Sequence, residues 1–391
     1  MRICFVCNEY PPAPHGGIGT FVRTLGTFLA RQGNDVLVVG FGENGSGQMR
    51  WEDQGVEVTH PRMPMRWFSQ ITKNRCASTL LAGMKRVVLS KAVNRLAKRR
   101  RVDVVESYDW SGPLWRHPSV PLVVRMHGAN TAHCAYERRR PSRKLRHFER
   151  KNVAMADRLV AVSEHIGGLT VRSVGLPNKS YRVIYNAVDT ELFRPRHTAC
   201  DGNEVLYVGT VNRRKGVEEL FKAIPEVLAR RPETRFRIAG EICKNEDSQR
   251  LDSYLLSLLP GGCRSSVEFL GRIPHEDLPL LYNQAAVCVF PSLAEAFGLT
   301  CVEAMACGRP VVMTNQASGP EIVEEGVSGL LADPRDAQKL ANCLLKILED
   351  TELQQRFGKA GRKRVEEKFC LHRLAEATLE EYLKVIRSGR N

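Results

Sequence analysis

At 391 residues and 43% hydrophobic content, the chain has room for about two or three domains with ordinary buried cores. Its 12 cysteines are scattered singly and no secretory segment is evident, which argues against a disulfide scaffold and for reduced thiols in a cytoplasm; no apolar run approaches the roughly 20 residues that span a bilayer. The formal net charge of +15 suits an anionic partner, but neither zinc-finger spacing nor an RNA-recognition sheet motif is present, so nucleic acid is not the partner expected.

MRICFV opens the chain as a buried strand. NEYPPAPHGGIGT is a long loop, FVRTLGTFLARQG an amphipathic helix ending at Gly33, and DVLVVG the second strand, a βαβ start that predicts a Rossmann-like domain. CFVC lies in the first strand, where positions three apart point to opposite faces. Cys4 and Cys7 are therefore poor co-ligands, and no metal site is expected. Gly17-x-Gly19 ahead of a helix, with Glu43 after the second strand, raises a dehydrogenase reading. A dinucleotide fingerprint follows its strand at once, however, whereas a long loop intervenes here and Val22 takes the third glycine's place.

The positive charge is uneven. Lys85 to Arg101 holds eight basic residues and no acid, and Arg138 to Lys151 holds eight more with one acid, Glu149. The first run also carries Val88, Ala92 and Leu96 at helical spacing, with Leu89 and Val93 beside them. Such a basic amphipathic helix suits an anionic lipid surface, and it equally suits packing of its apolar stripe on a sheet.

DVVESYDW, with its strand at 103–106, and LVVRMHG, at 122–128, are strand-to-loop units. Their loops leave the carboxyl ends of strands, the edge at which open α/β sheets bind ligands, and His127 lies in the second. RLVAVSEHI adds a strand ending at Ser163-Glu164. The second half repeats the plan: VLYVGT is a strand, NRRKG a basic loop and VEELFKAIPEVLARRP an amphipathic helix. FRIAGE, VEFLG and VCVFP are strands, with the helix HEDLPLLYNQA between the last two. From Asp333 the chain is mainly helical, ending in the helix CLHRLAEATLEEYLKVIRS.

Within this half, Pro291 to Val312 reads as loop, helix and strand, the helix running from Gly298 to Cys307 and stopped by Gly308 and Pro310. Glu295 precedes the helix and Glu303 lies inside it. Phe297, Gly298 and Leu299 form its start, where free N–H groups attract phosphate and a glycine lets a ligand approach the backbone. Carboxylates repel phosphate but bind sugar hydroxyls. The combination suggests a nucleotide-sugar diphosphate, one acid for the ribose and one for the sugar. A solvated loop Glu and an exposed helix Glu fit the same spacing.

Glu295 to Glu303 forms E-x7-E, here as E-x-F-G-L-x-x-x-E-A-M-A-x-G-x-P-V-V. With PPAPHGGIGTFV, MHG, VSE, VIYNAVDTELFRP and YVGTVNRRKGV upstream in that order, the sequence resembles the retaining glycosyltransferases of family 4 (glycosyl transferases group 1) over nearly its whole length. The resemblance implies an α/β GT-B fold, two Rossmann-like domains facing across a cleft with a boundary near 187–203. Residues 1–186 would form the acceptor-side domain and 187–371 the donor domain, with a C-terminal helix, about 372–391, crossing back to the first domain.

The resemblance further implies transfer of a sugar from a nucleotide diphosphate sugar to a hydroxyl of a glycan or lipid-linked acceptor, with retained configuration, in glycan, polysaccharide or glycolipid assembly. It assigns His127 to the donor, the Gly16-Gly17 backbone to donor phosphate or sugar, Glu295 to the sugar's hydroxyls and Glu303 to the ribose. Lys215, with Arg214 beside it, would carry the leaving diphosphate, so that neither metal nor other cofactor is needed. The donor phosphate itself would help deprotonate the acceptor on the same face. Thr210 follows Gly209 where the family often has Arg, and Ala187 stands where it commonly has Gly. The expected location is cytoplasmic, with the basic helix 85–101 a candidate contact for the inner face of an anionic membrane. Two alternatives stay open: another GT-B enzyme, such as a sugar-nucleotide epimerase or a pyridoxal-phosphate phosphorylase, and a non-catalytic scaffold held at a membrane.

Overall fold

The computed structural model describes residues 1–12, 16–41, 49–62, 75–136, 139–196, 202–244 and 250–388, without the side chains of 75–79. Glu43 and Arg138 lie outside the described residues. The chain divides into two compact units, the first holding Met1–Tyr185 and the chain from Leu374 on, the second Asn186–Arg373.

The first unit runs β1 (Arg2–Val6), α1 (Gly17–Arg31), β2 (Asp35–Val39), β3 (Met49–Asp53), β4 (Val56–His60), α2 (Arg75–Arg100), β5 (Val104–Tyr108), β6 (Leu122–Met126), α3 (Asn130–Tyr136), α4 (Arg143–Met155), β7 (Arg158–Ala161), α5 (Glu164–Ser173) and β8 (Arg182–Val183). Among the described residues the sheet order is β3-β4-β2-β1-β5-β6-β7-β8, parallel except for the β3–β4 hairpin. The central strands are covered on both faces, which is why they read as continuous apolar runs: Ile3 to Val6, Val36 to Val39 and all of β5 and β6 are buried. The chain leaves β1 toward β2 and later returns to β5 on its other side. The carboxyl ends of β1 and β5 therefore flank a topological switch point, where such sheets bind ligands.

The β3–β4 hairpin had no place in the expected elements. Its signal was present: Val56, Val58 and His60 alternate inward, and Gln54-Gly55 turns the chain with φ of 51° and 85°.

Helix α2 answers one open question. Leu89, Val93 and Ala97 are buried, and α2 packs on β1 and β2, so this row serves the core, while Val88, Ala92 and Leu96 are half-buried. Nor is the basic run wholly free of internal partners. Arg100 pairs with Glu57, and Arg86 turns inward to donate to the carbonyls of Gly112 (2.8 Å) and Ser111 (2.5 Å), its guanidinium lying over the Phe148 ring. Lys85, Lys91, Arg95, Lys98, Arg99 and Arg101 remain exposed.

The second unit runs β9 (Glu204–Val208), a 3-10 turn (Arg213–Lys215), α6 (Val217–Arg230), β10 (Arg235–Ala239), α7 (Leu251–Ser257), β11 (Val267–Gly271), α8 (Leu278–Gln284), β12 (Val287–Phe290), α9 (Leu299–Ala306), β13 (Val311–Thr314), α10 (Gly319–Ile322), β14 (Leu330–Ala332), α11 (Ala337–Leu348) and α12 (Thr351–Lys368). Its parallel sheet is ordered β11-β10-β9-β12-β13-β14, which places the switch point between β9 and β12. Helices α6 and α11 pack together on this sheet; Leu220, Phe221 and Ile224 of one meet the same core as Leu340, Leu344 and Ile347 of the other.

The last helix, α13 (Leu371–Ser388), returns to the first unit, as expected. Its anchor is polar. Arg125 of β6 and Glu106 of β5 are buried and form a two-pronged pair at 2.8 and 3.1 Å; Arg125 donates to Thr378 (3.1 Å), and the Tyr382 hydroxyl donates to Glu106 (2.7 Å). Nearer the surface, Arg182 bonds Glu381 and Glu380 at 2.5 and 3.0 Å. The register of α13 is defined by these bonds, because sliding it would take the Thr378 and Tyr382 hydroxyls away from a buried charge pair that has no water to replace them.

Candidate active site

In the second unit, two loops meet at the switch point. Gly216 ends the turn after β9 in the left-handed region, φ 72°, and a Cβ there would lie 1.8 Å from the Pro291 carbonyl oxygen. Only glycine allows that approach. The loops are then stitched by backbone: Leu293 N–H donates to the Arg214 carbonyl (2.9 Å), and the Arg214 guanidinium donates to the Ala294 carbonyl (3.3 Å). Asn212 accepts from the Lys215 N–H at 3.0 Å and fixes the turn.

These contacts bring together Lys215 and Glu295. Nζ lies 2.5 Å from Oε2, with both side chains mostly buried, and Ser292 donates to the same oxygen at 3.2 Å. Burial alone would push the Glu295 carboxyl up. The charges of Lys215 and Arg214 and the hydrogen bonds from Lys215 and Ser292 outweigh it, holding the group below the usual carboxylate range. Glu295 is thus an anion at neutral pH, aimed beside two cations.

Gly298 caps α9 with φ 95°, where a Cβ would meet Met313 at 2.7 Å, and no side chain caps the first turn. The helix proper starts at Leu299, one residue later than the sequence pattern suggests. Phe297 is buried with its ring edge-on to Phe369, and Ser318 bonds the carbonyls of Phe297 and Glu295 at 3.0 and 3.3 Å. The Phe297 ring is therefore part of the core and is not presented to a ligand. Glu303 is not an exposed helix Glu; it is buried, its Oε1 2.9 Å from His275 Nε2 and its Oε2 accepting from Tyr282 at 2.9 Å. Each oxygen retains a lone pair for a further donor. Ser292, Ser318, His275 and Tyr282 were missed in the sequence, where no spacing ties them to the two glutamates.

In the first unit, His127 follows β6. Its backbone N–H and that of Gly128 donate to the two carboxylate oxygens of the fully buried Asp109, at 3.0 and 3.2 Å. Its ring packs edge-on against Phe21. Burial and the nearby Arg125 charge bring its pKa down to about 3, so the imidazole is neutral. Gly16 and Gly17 open α1, but Gly16 N–H donates to Glu9 Oε2 (3.2 Å) and Gly19 N–H to Oε1 (3.3 Å). The first turn of α1 thus holds a carboxylate, which a donor phosphate would have to displace. Asp109 and Glu9 sit at the carboxyl ends of β5 and β1, and neither stood out in the sequence.

Residues 15–192 match the family described as glycosyltransferase family 4, and residues 189–364 match glycosyl transferases group 1. Across 100% of its length the chain is 30% identical to a glycogen synthase of Mycobacterium tuberculosis, covering 96% of that protein. The chain belongs to glycosyltransferase family 4. It is also 27% identical to an alpha-maltose-1-phosphate synthase of Mycolicibacterium smegmatis, with 98% of this chain and 100% of that one covered. Its fold is GT-B. Sucrose-phosphate synthase from Thermosynechococcus elongatus superposes with a TM-score of 0.78 at 22% identity, covering 99% of both chains. HepE of Anabaena in complex with UDP-glucose gives 0.71 at 19% identity, over 98% of this chain and 100% of that one. The family membership makes this protein a glycosyltransferase. Among the described residues, no helix is long and apolar enough to cross a membrane.

Proposed function

We propose that this glycosyltransferase moves a sugar from a nucleotide diphosphate sugar to a hydroxyl of a glycan or lipid-linked acceptor, with retained anomeric configuration and without metal. The Lys215–Glu295 pair carries the reading. An arriving diphosphate competes with Glu295 for Lys215 and draws on Arg214, and the carboxylate is released toward the hydroxyls of the donor sugar. Fixed cations and the uncapped start of α9 stabilise the departing diphosphate, the task a metal would otherwise perform. HepE, of the same fold, was crystallised with UDP-glucose, which supports a nucleotide-sugar donor here. His127, neutral and rigidly mounted, suits hydrogen bonding to the donor sugar. No protein nucleophile is required if the donor phosphate takes the acceptor's proton.

The test is incubation with UDP-, ADP- and GDP-sugars in EDTA, screened first by thermal shift, with the anomeric configuration of the transferred sugar read by proton NMR. An α-linked donor yielding an α-linked product in EDTA supports the proposal. A β-linked product sinks retention, and restoration of activity only by added divalent metal sinks metal independence.

A further inference from the structure

We propose that Trp110 is a stacking platform for a pyranose ring of the acceptor, which would make that acceptor an oligosaccharide. The inference deepens the proposed function and rests on it. Trp110 stands at the carboxyl end of β5, beside the switch point of the first unit's sheet, and is 36% exposed although its neighbour Asp109 is fully buried. A single exposed aromatic side chain is ordinary. The turn that presents this one is not.

Ser111 and Gly112 follow it with φ of 60° and 54°. Ser111 is one of few non-glycine residues of the described chain held in the left-handed region, a conformation that persists only where the surroundings impose it. Here they do. The buried Glu149 accepts from the Ser111 N–H at 2.9 Å, and Arg86 donates to the carbonyls of Ser111 and Gly112. Gly112 presses so close to α4 that a Cβ would sit 2.3 Å from the Phe148 carbonyl oxygen. Glu149 also accepts from the N–H groups of Asn130 and Thr131 at the start of α3, at 2.8 and 3.0 Å. One buried carboxylate thereby ties the Trp110 turn to the segment that follows His127.

The same helix, α3, supplies His133, whose ring stands edge-on to the indole at 5.1 Å between centroids. The indole is braced by this ring and keeps 36% of its surface exposed. A rigid, amphipathic ring costs little entropy to bury. Its negative face suits the C–H face of a pyranose, whose hydroxyls point outward at the rim. A buried carboxylate and an arginine spent on fixing an exposed tryptophan place the demand for precision on that ring, at the edge of the sheet that carries His127.

The experiment is calorimetric titration of the full chain with maltotetraose and with cellotetraose, repeated on Trp110→Ala, Trp110→Phe and Leu280→Ala, the last an exposed apolar side chain of the second unit. At least one tetrasaccharide should bind. Trp110→Ala should weaken it about tenfold or more and Trp110→Phe only a few-fold, since the benzene face remains, while Leu280→Ala changes nothing. The Phe variant, with thermal melts of all three, separates loss of the ring from loss of the fold. The platform is overturned if neither sugar binds the wild-type chain, or if Trp110→Ala binds as tightly. Hydrolysis of a nucleotide-sugar donor by the same wild-type preparation then leaves the transferase reading standing and removes only the platform.

Discussion

Lys215 and Glu295, 80 positions apart, are held 2.5 Å from each other by the backbone stitching of two loops. An ion pair this buried is expensive to assemble and more so to break on one side. In the proposed function the cation exchanges its carboxylate for a phosphate when the donor arrives.

Lys215→Ala should therefore reduce turnover by about two orders of magnitude, in line with losing one charge-stabilising donor. It should also shift the acid limb of the pH–rate profile upward. With Lys215 gone, burial is no longer fully opposed, and the Glu295 carboxyl rises from its lowered value. Steady-state donor hydrolysis across pH checks both. Near-wild-type turnover would remove the leaving-group role; a comparable loss in Arg214→Ala would show that the two cations share the phosphate.

Glu303 and His275 make the second coupled pair. Burial pulls the His275 pKa down, but the hydrogen bond and charge of Glu303, with Glu276 and Asp189 adding, raise it above the ordinary 6.5. The histidine's contribution to stability is thus fully present below about 6.5 and is lost as pH rises through the raised value. Glu303→Gln should lower the His275 pKa in an NMR titration, and Glu303→Ala should raise the donor KM more than it lowers kcat, because a ribose contact is shared by ground and transition states. A kcat loss at unchanged KM would contradict the ribose assignment.

Glu106→Gln leaves the fully buried Arg125 without its counter-charge, beside an Nη1 that has no hydrogen-bond partner among the described residues. The expected cost is about 3–5 kcal/mol in denaturant unfolding. Tyr382→Phe, which removes a single hydrogen bond to Glu106, should cost about 1 kcal/mol. Equal costs would mean that the counter-charge on Arg125 is worth no more than one hydrogen bond.

Any binding of anionic lipid by the exposed cations at α2 would rest on charge, since Leu89 and Val93 are in the core. Each basic residue near such a surface contributes on the order of 1 kcal/mol, falling off within about a Debye length. Replacing Lys98, Arg99 and Arg101 with Gln should release the protein from phosphatidylserine vesicles in a sedimentation assay, as should raised salt. Wild-type protein that ignores such vesicles at low salt would leave the run a solvated face.

Local sequence determined much of this protein. Strands buried on both faces announce themselves as apolar runs, and helices with one buried stripe show it at helical spacing; hence both sheets, most of their helices and the E-x7-E segment were legible residue by residue. The two-residue β8 and three-residue β14 carry too few residues for a period to show, and the edge strand β3 has no buried side chain to mark one. What tertiary structure alone decided is the identity of polar partners. Glu149 reads in sequence as one acid among eight cations, yet it is buried against backbone N–H groups of two other segments. Glu303 fits a ribose ligand and an exposed helix residue alike, and only the fold shows it buried against His275 and Tyr282. The stripe on α2 fitted membrane and sheet alike until β1 and β2 were set beneath it. Tyr382 meets Glu106 across 276 positions. Periodicity reports only which face of an element is buried; which charge waits on that face is set by where a distant segment comes to rest.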